Sequence, residues 1–468
     1  MNAIILSAVW GVVMMFGGAF TNNKTIVRYL AIVGAVLLLI ANQADLLSDG
    51  NPFFHIDTKR MLSFGTFGLL FNSIAFAITL VYFLLSSKDI ENVGVNSGDY
   101  FALIFFVLCG VSLTTSYNNL LMLFIGIEIL SIPLYILTGS SKRNLKSNEA
   151  SLKYFLMGAF STGIMLLGIA FLYGAGKTGS FFIDDIGIGK APASPLFIVG
   201  LLLLIVSLSF KVSAAPFHFW TPDVYDGAPT VFTSFMATVV KGAAFIAFIR
   251  LFADSFIEAQ PKWELIIAII TAFTLFIGNI TAVFQQSVKR MLAYSSIAQV
   301  GFMLFSILGV GLKSNTAQEG ILLYVTAYSL ATIGIFAILI KMKDHTFEGF
   351  NGLAEQQPVL AAVNTVFLLS LAGIPLTAGF FAKYYMLSIA LQTGKFLWLI
   401  IFAVLCAAVS VYYYFRVIQA MYFKDGEAQE IEASPAFKSL LIFVAIAIVL
   451  LGIFPQWLIN KLSTIVYF

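Results

Sequence analysis

Apolar runs of about twenty residues recur along the whole chain, separated by short polar punctuation. Each is long enough to cross a hydrocarbon core of ~30 Å as a helix. Fourteen such runs are predicted, at roughly 3–20, 26–43, 61–85, 99–115, 118–139, 150–174, 194–218, 229–252, 263–284, 289–310, 319–342, 357–391, 396–422 and 439–459. An even number puts both termini on one side of the membrane. The Lys and Arg of the loops favour, by a thin margin, a side outside the cytoplasm. The longest connections (44–60, 175–193, 341–356, 423–438) are under twenty residues and mix charge with Gly and Asp. None can hold a soluble domain, so the chain is expected to work within the membrane or through partners.

Two runs are interrupted. The seventh carries Lys211 and then Pro216, and the twelfth is too long for one straight span and breaks at GIPLTAG, with Lys383 just beyond. A proline removes a backbone donor and frees the carbonyl four residues earlier, which lipid tolerates only where protein or water covers it. Matched broken helices in the two halves point to an inverted repeat. Sliding 110–135 by 168 positions onto 278–303 aligns a polar hinge followed by an apolar helix, and brings Lys211 within four residues of Lys383.

The stretch 205–250 concentrates the chemistry. It reads as an apolar helix that runs into Lys211, breaks at Pro216, crosses a short loop with Asp223 and Asp226, and re-enters a helix with Lys241 near its middle. An ammonium at the centre of a membrane helix costs at least ~2.5–3.5 kcal/mol, and a desolvated lysine gives up its proton readily. Glu128 is alone in the fifth run and is expected to be protonated or paired, with Lys211 or Lys241 as partner. Approach of Glu128 would hold Lys211 charged, and separation would release its proton. A buried ion pair that only fixes helix packing would explain one such charge. Four isolated charges in four runs, Glu128, Lys211, Lys241 and Lys383, are an expensive way to pack helices and point instead to a proton path. His218, at the break (PFHFW), either shuttles protons or caps freed carbonyls. Glu149 and Lys153, four apart, read as interfacial support, and Arg416 as a residue that snorkels to its helix end. His55 and His345 fall in loops and receive no role.

Composition excludes other classes. The 468 residues are 60% apolar and 10% charged, with mean hydropathy +0.96, where a soluble globule carries about 25% charged residues. A net charge of +3 with no basic tract argues against nucleic acid. Cys109 and Cys406, each alone in an apolar run, cannot form a four-cysteine iron–sulfur site and lack zinc spacing. GAGKTG at 174–179 matches G-x-G-x-x-G, but it follows a membrane helix rather than a strand, and Phe171 occupies the earlier Walker glycine position. There is no H-E-x-x-H and no intramembrane His pair, so no redox centre or metal is expected on this chain. The N-terminus lacks a basic n-region and reads as the first span rather than a cleaved signal peptide.

FKVSAAPFHFWTPDVYDGAPT, FMATVVKGAAF and SLAGIPLTAGFFAKYY resemble the antiporter-like membrane subunits of respiratory complex I (NADH-quinone oxidoreductase), most closely those of the subunit N type. The similarity covers nearly the whole chain. It implies an all-α polytopic membrane protein of about fourteen transmembrane helices, with two inverted five-helix repeats and broken helices 7 and 12. A single membrane domain, 1–468, would comprise helices 1–3 (1–98), a first repeat of helices 4–8 (99–252), a second of helices 9–13 (253–423), and helix 14 (424–468). The resemblance further implies proton translocation through Glu128 paired with Lys211, then the central Lys241, then the terminal Lys383. NADH, FMN, iron–sulfur clusters and quinone would lie on partner subunits, in a hetero-oligomer of the bacterial inner membrane. Two other readings share the architecture: a subunit of a multisubunit cation/proton antiporter, and a structural membrane scaffold of a redox complex.

Overall fold

Where hydrocarbon replaces water, each backbone N–H and C=O must find its partner within the protein, and a helix does this within one segment. The structure, a computed structural model, describes residues 1–21, 23–47, 58–94, 96–176, 179–186, 194–312, 316–426, 429 and 431–466, with side chains to Asn460. His55, and Lys177 and Thr178 of GAGKTG, lie outside the described residues. Of that motif, Gly174 and Ala175 end a helix that is capped at Gly176.

The helices are α1 (Asn2–Phe20), α2 (Lys24–Leu47), α3 (Thr66–Val93), α4 (Ser97–Ser116), α5 (Leu120–Thr138), α6 (Leu145–Ala175), α7a (Pro195–Val212), α7b (Trp220–Gly227), α8 (Thr230–Asp254), α9 (Gln260–Val283), α10 (Val288–Leu308), α11 (Thr316–Lys341), α12a (Pro358–Ala372), α12b (Ala378–Thr393), α13 (Leu397–Phe423), α14 (Pro435–Ile453) and α15 (Pro455–Val466). Thirteen of the described helices are long and apolar enough to cross a bilayer, and the broken α12 makes fourteen. Local chemistry sets many of the starts. Asn119, Asn144, Ser194, Ser287 and Ser434 cap α5, α6, α7a, α10 and α14 by accepting a backbone N–H of the first turn. Pro195, Pro358 and Pro435 occupy first-turn positions, where a missing N–H costs nothing.

The structure corrects three expectations. The last run, predicted as 439–459, stops at Ile453, and Pro455 opens the separate α15, because a proline there would crowd a carbonyl of the preceding turn. The third begins at Thr66 and continues to Val93 rather than spanning 61–85. Asp223 and Asp226 lie in the helix α7b, not in a loop.

Both breaks are built alike. α7a ends at Ser213 and α12a at Gly373, each in the left-handed region (φ 67° and 83°). In each, the next residue's N–H returns to a carbonyl of the last turn (Ala214 N to Ser209 O, 2.8 Å; Ile374 N to Leu369 O, 3.0 Å), the Schellman arrangement. A proline follows within three residues and prevents the helix from resuming.

α4 packs on α5 as α9 packs on α10, and α6 packs on α7b as α11 packs on α12b. The offset between the two sets is five crossings, an odd number, so the second unit runs inverted. One contact reproduces the 168-residue shift itself. A Cβ on Gly110 would strike the backbone of Leu130, and one on Gly278 would strike the backbone of Ala298. Small residues that allow such close approach are the usual helix interface in lipid. α8 and α10 bury 94% of their apolar stretch inside the protein, against 22% for α1. The lysine-bearing helix α8 is thus interior, and α1 offers its apolar face to lipid or to neighbours.

Because the obstacle at both glycines is backbone, no rotamer change relieves it. Gly110→Ala and Gly278→Ala are each expected to destabilise the solubilised protein by about 1–3 kcal/mol. Gly163→Ala, whose Cβ would meet nothing within 4 Å, should be neutral or slightly stabilising through helix propensity. Thermal unfolding in detergent distinguishes them.

Candidate functional site

Three of the four predicted charges are lysines, and each is held by a neutral oxygen. Lys211, in the last turn of α7a, donates to Ser131 Oγ on α5 at 3.3 Å. Lys241, only 2% exposed, donates to Ser296 Oγ on α10 at 2.9 Å and lies 5.3 Å from the centroid of the Tyr225 ring on α7b. Lys383, 7% exposed on α12b, donates to the carbonyl of Ala372, the last residue of α12a, at 2.8 Å, and sits 4.9 Å from the Phe302 ring centroid. None has a carboxylate within ion-pair distance among the described residues. A serine hydroxyl can accept from an ammonium or donate to a neutral amine, so such a lysine changes charge without stranding a counter-ion.

Each position has a local backbone cause. Lys241 follows a π-helical turn, Met236–Val240, a device that re-aims side chains and recurs at functional sites. Lys383 faces the C-terminal end of α12a, where free carbonyls and the negative end of the helix dipole favour a cation. Gly373, at φ 83°, leaves room there: a Cβ would lie against the Lys383 stem. Pro133 interrupts α5 just beyond Ser131.

Glu128, Ser131 and Tyr135 share one face of α5 at i, i+3 and i+7. Glu128 lies near enough to act electrostatically on Lys211, but the lysine's hydrogen bond goes to Ser131, one turn further along. The paired arrangement expected for Glu128 and Lys211 is therefore open in this structure. Glu128 Oε1 is buried with no hydrogen-bond partner among the described residues.

His218 is buried in the α7 break, and its Nδ1 also has no partner there. Its ring lies against the backbone of Pro216 at the break. Trp220 caps a carbonyl of the last turn of α7a, donating Nε1–H to Phe210 O at 3.0 Å. Further buried polar side chains line the same region: Ser209, Ser213 and Thr221 around the α7 break, Ser234 on α8, and Tyr328, Ser329 and Thr332 on α11.

Several residues that charge alone did not single out belong to this site. Ser295, Ser296 and Gln299 line one stretch of α10: Ser296 accepts from Lys241 on α8, Ser295 and Gln299 bond Tyr414 on α13, and Gln299 accepts from Tyr324 on α11. Their signal was polarity at i, i+1 and i+4 inside an apolar run. Other charges are structural. Lys153 joins Glu149 (2.8 Å) and Asp223 (2.9 Å), and Arg290 joins the same Asp223 (2.9 Å), tying α6, α7b and α10 together. Lys289 caps the carbonyls of Asp226 and Ala228 at 2.8 and 2.7 Å. Arg416 does not snorkel free but donates to Val283 O at 2.8 Å and stacks 4.0 Å from the Phe347 ring centroid. In the loop before α12a, burial lowers the affinity of His345 for a proton. No group of three His, Cys, Asp or Glu able to hold a metal occurs among the described residues.

Fold and site together define a polytopic, antiporter-like membrane protein with a line of buried lysines. Residues 117–411 match the family described as NADH:quinone oxidoreductase/Mrp antiporter, TM. The NADH-quinone oxidoreductase subunit N of Cytophaga hutchinsonii is 43% identical, with 98% of this chain and 99% of that protein aligned. A chain of respiratory complex I from Thermus thermophilus superposes with TM-score 0.82 at 31% identity, covering 98% of each chain. A chain of the Mrp complex from Dietzia superposes with TM-score 0.86 at 20% identity, over 99% of this chain and 96% of that one, which shows the shared fold. The chain belongs to the NADH:quinone oxidoreductase/Mrp antiporter membrane family, and within it to the NADH-quinone oxidoreductase subunit N group.

The neutral partners predict a contrast between two buried lysines. Lys241→Met removes a charge that has no counter-ion and is expected to stabilise the solubilised protein, by up to ~3 kcal/mol. Lys289→Met strips two carbonyls of their donor and should destabilise it by about 1–3 kcal/mol. Thermal midpoints measured side by side give the sign of each.

Proposed function

We propose that this chain is a proton-translocating membrane subunit of a bacterial NADH-quinone oxidoreductase, in the inner membrane. The observation that carries this reading is the set of three intramembrane lysines, each bound to a neutral oxygen at a helix break or bulge. In this reading NADH, FMN, iron–sulfur clusters and quinone belong to partner subunits, and this chain contributes only proton transfer. Helices 1–3 (1–98) and helix 14 (424–468) flank two repeats (99–252 and 253–423), with Lys211 and Lys241 in the first and Lys383 in the second.

Quinone reduction elsewhere in the complex changes the electrostatic balance at Glu128. A charged Glu128 drawn toward Lys211 holds that lysine protonated, and its withdrawal or neutralisation leaves Lys211 on Ser131 alone, free to release its proton. The proton moves to Lys241 and then to Lys383 through hydroxyls and buried water, because each lysine bonds a neutral oxygen and not the next lysine. His218, unpartnered at Nδ1 beside the Lys211 break, is a candidate relay. The shared fold with the Mrp complex keeps one second reading in view, cation/proton exchange without an electron donor.

Inverted membrane vesicles separate the two. With NADH as donor, Glu128→Gln is expected to lower proton uptake several-fold at equal content of assembled complex, with uptake independent of sodium. Sodium-driven proton exchange without NADH would favour the antiporter reading. An assembled Glu128→Gln complex that pumps as wild type would remove Glu128 from the path.

A further inference from the structure

The gap between Lys241 and Lys383 spans the two repeats, and one uncharged side chain organises it. Gln299 is 3% exposed on α10, one turn from Ser296, the oxygen that holds Lys241. Its Nε2 donates to Leu371 O at 2.9 Å and to Tyr414 Oη at 3.1 Å, and its Oε1 accepts from the Tyr324 hydroxyl. A backbone carbonyl only accepts, so Leu371 fixes which end of the amide faces it.

The last four carbonyls of α12a, which a helix end leaves without intrahelical partners, can then be accounted for one by one. Leu369 and Ser370 are satisfied by the N–H groups of Gly373 and Ile374 in the turn. Leu371 is satisfied by Gln299 and Ala372 by Lys383. Gln299 and Lys383 thus hold successive carbonyls of one helix end. Beside them is a cavity with about 10 Å³ of space for the centre of a water molecule, lined by Gln299, Tyr324, Tyr328, Ser370, Gly379 and Ala382, among others. That is room for about one water.

We propose that Gln299 is the positioning residue of the proton step from Lys241 to Lys383, holding the α12a carbonyl end and the Tyr324 hydroxyl at the wall of a cavity that takes a single water. This rests on the reading that protons pass between those two lysines. With both N–H groups given away, the amide passes no proton itself. It fixes the geometry of the water beside the α12a carbonyl end, and Tyr328, which lies beside Ser296 and Thr332, supplies a further hydroxyl at the cavity wall. Loss of the amide frees Leu371 O and the Tyr324 hydroxyl and leaves Tyr414 on Ser295, so the water loses its fixed neighbours.

The test uses inverted vesicles carrying the full complex, in light and heavy water. Gln299→Leu is expected to lower NADH-driven proton uptake per assembled complex several-fold and to raise its solvent isotope effect, because that proton step becomes rate-limiting. A purely structural role would reduce the amount of complex but leave uptake per complex and the isotope effect unchanged. Either that result, or reduced uptake with an unchanged isotope effect, overturns the proposal. Should Gln299→Leu fail to assemble, Tyr324→Phe removes one hydroxyl partner of Gln299 and is held to the same two readouts. Lys383→Ala is measured alongside. If it too pumps as wild type, the lysine path itself fails; if it is impaired while Gln299→Leu is normal, only the role of Gln299 fails.

Discussion

An ammonium inside an apolar bundle needs an oxygen to hold it, and the structure depends on where those oxygens come from. A continuous membrane helix has none to spare, since each carbonyl is used by the N–H four residues on. The fold obtains them by ending a helix within the bundle and by placing serines on neighbouring helices. α12a stops at Gly373 and offers its last carbonyls to Lys383 and Gln299. α7a stops at Ser213, with Lys211 in its last turn turned toward a serine on α5. Lys241, in an unbroken span, follows a π-helical turn and takes a serine from α10. None of the three takes a carboxylate, which distinguishes them from a salt bridge such as Lys341 with Asp89 at 2.7 Å and underlies the proposal that they change charge.

The inverted repeat explains why two unlike-looking sites share one construction. The left-handed cap, the returning N–H and the following proline recur at α7 and α12, and the Gly110–Leu130 contact recurs as Gly278–Ala298. The lysines do not coincide. Lys211 precedes its break and Lys383 follows its own, so one rides on the helix that ends and the other reaches back to it. Duplicated architecture with displaced charges spreads the lysines along the bundle instead of stacking them at equivalent points.

The span count, both breaks and all four charges were legible in the sequence because each violates the apolar pattern of its run. The ends of helices were less so. Pro455 ends α14 six residues earlier than hydropathy alone suggests, and Asp223 and Asp226 looked like loop residues because their charge hid the short helix α7b. The partners were not legible at all. Glu128 and Lys211 read as an ion pair, yet the lysine bonds Ser131, a choice set by the relative rotation of α5 and α7a that no local pattern encodes. Gln299, Tyr324 and Tyr414 come from three helices more than a hundred residues apart at the extremes, and only packing brings them together.

The central claim is that Lys241 carries protons rather than packing helices, and the ratio of protons moved to electrons transferred tests it most directly. The ratio is measured in inverted vesicles with NADH as donor, for wild type and Lys241→Ala at matched content of assembled complex. A lowered ratio, or turnover slowed with the complex intact, is the expected result. A wild-type ratio at wild-type turnover would contradict the claim and leave Lys241 a structural residue.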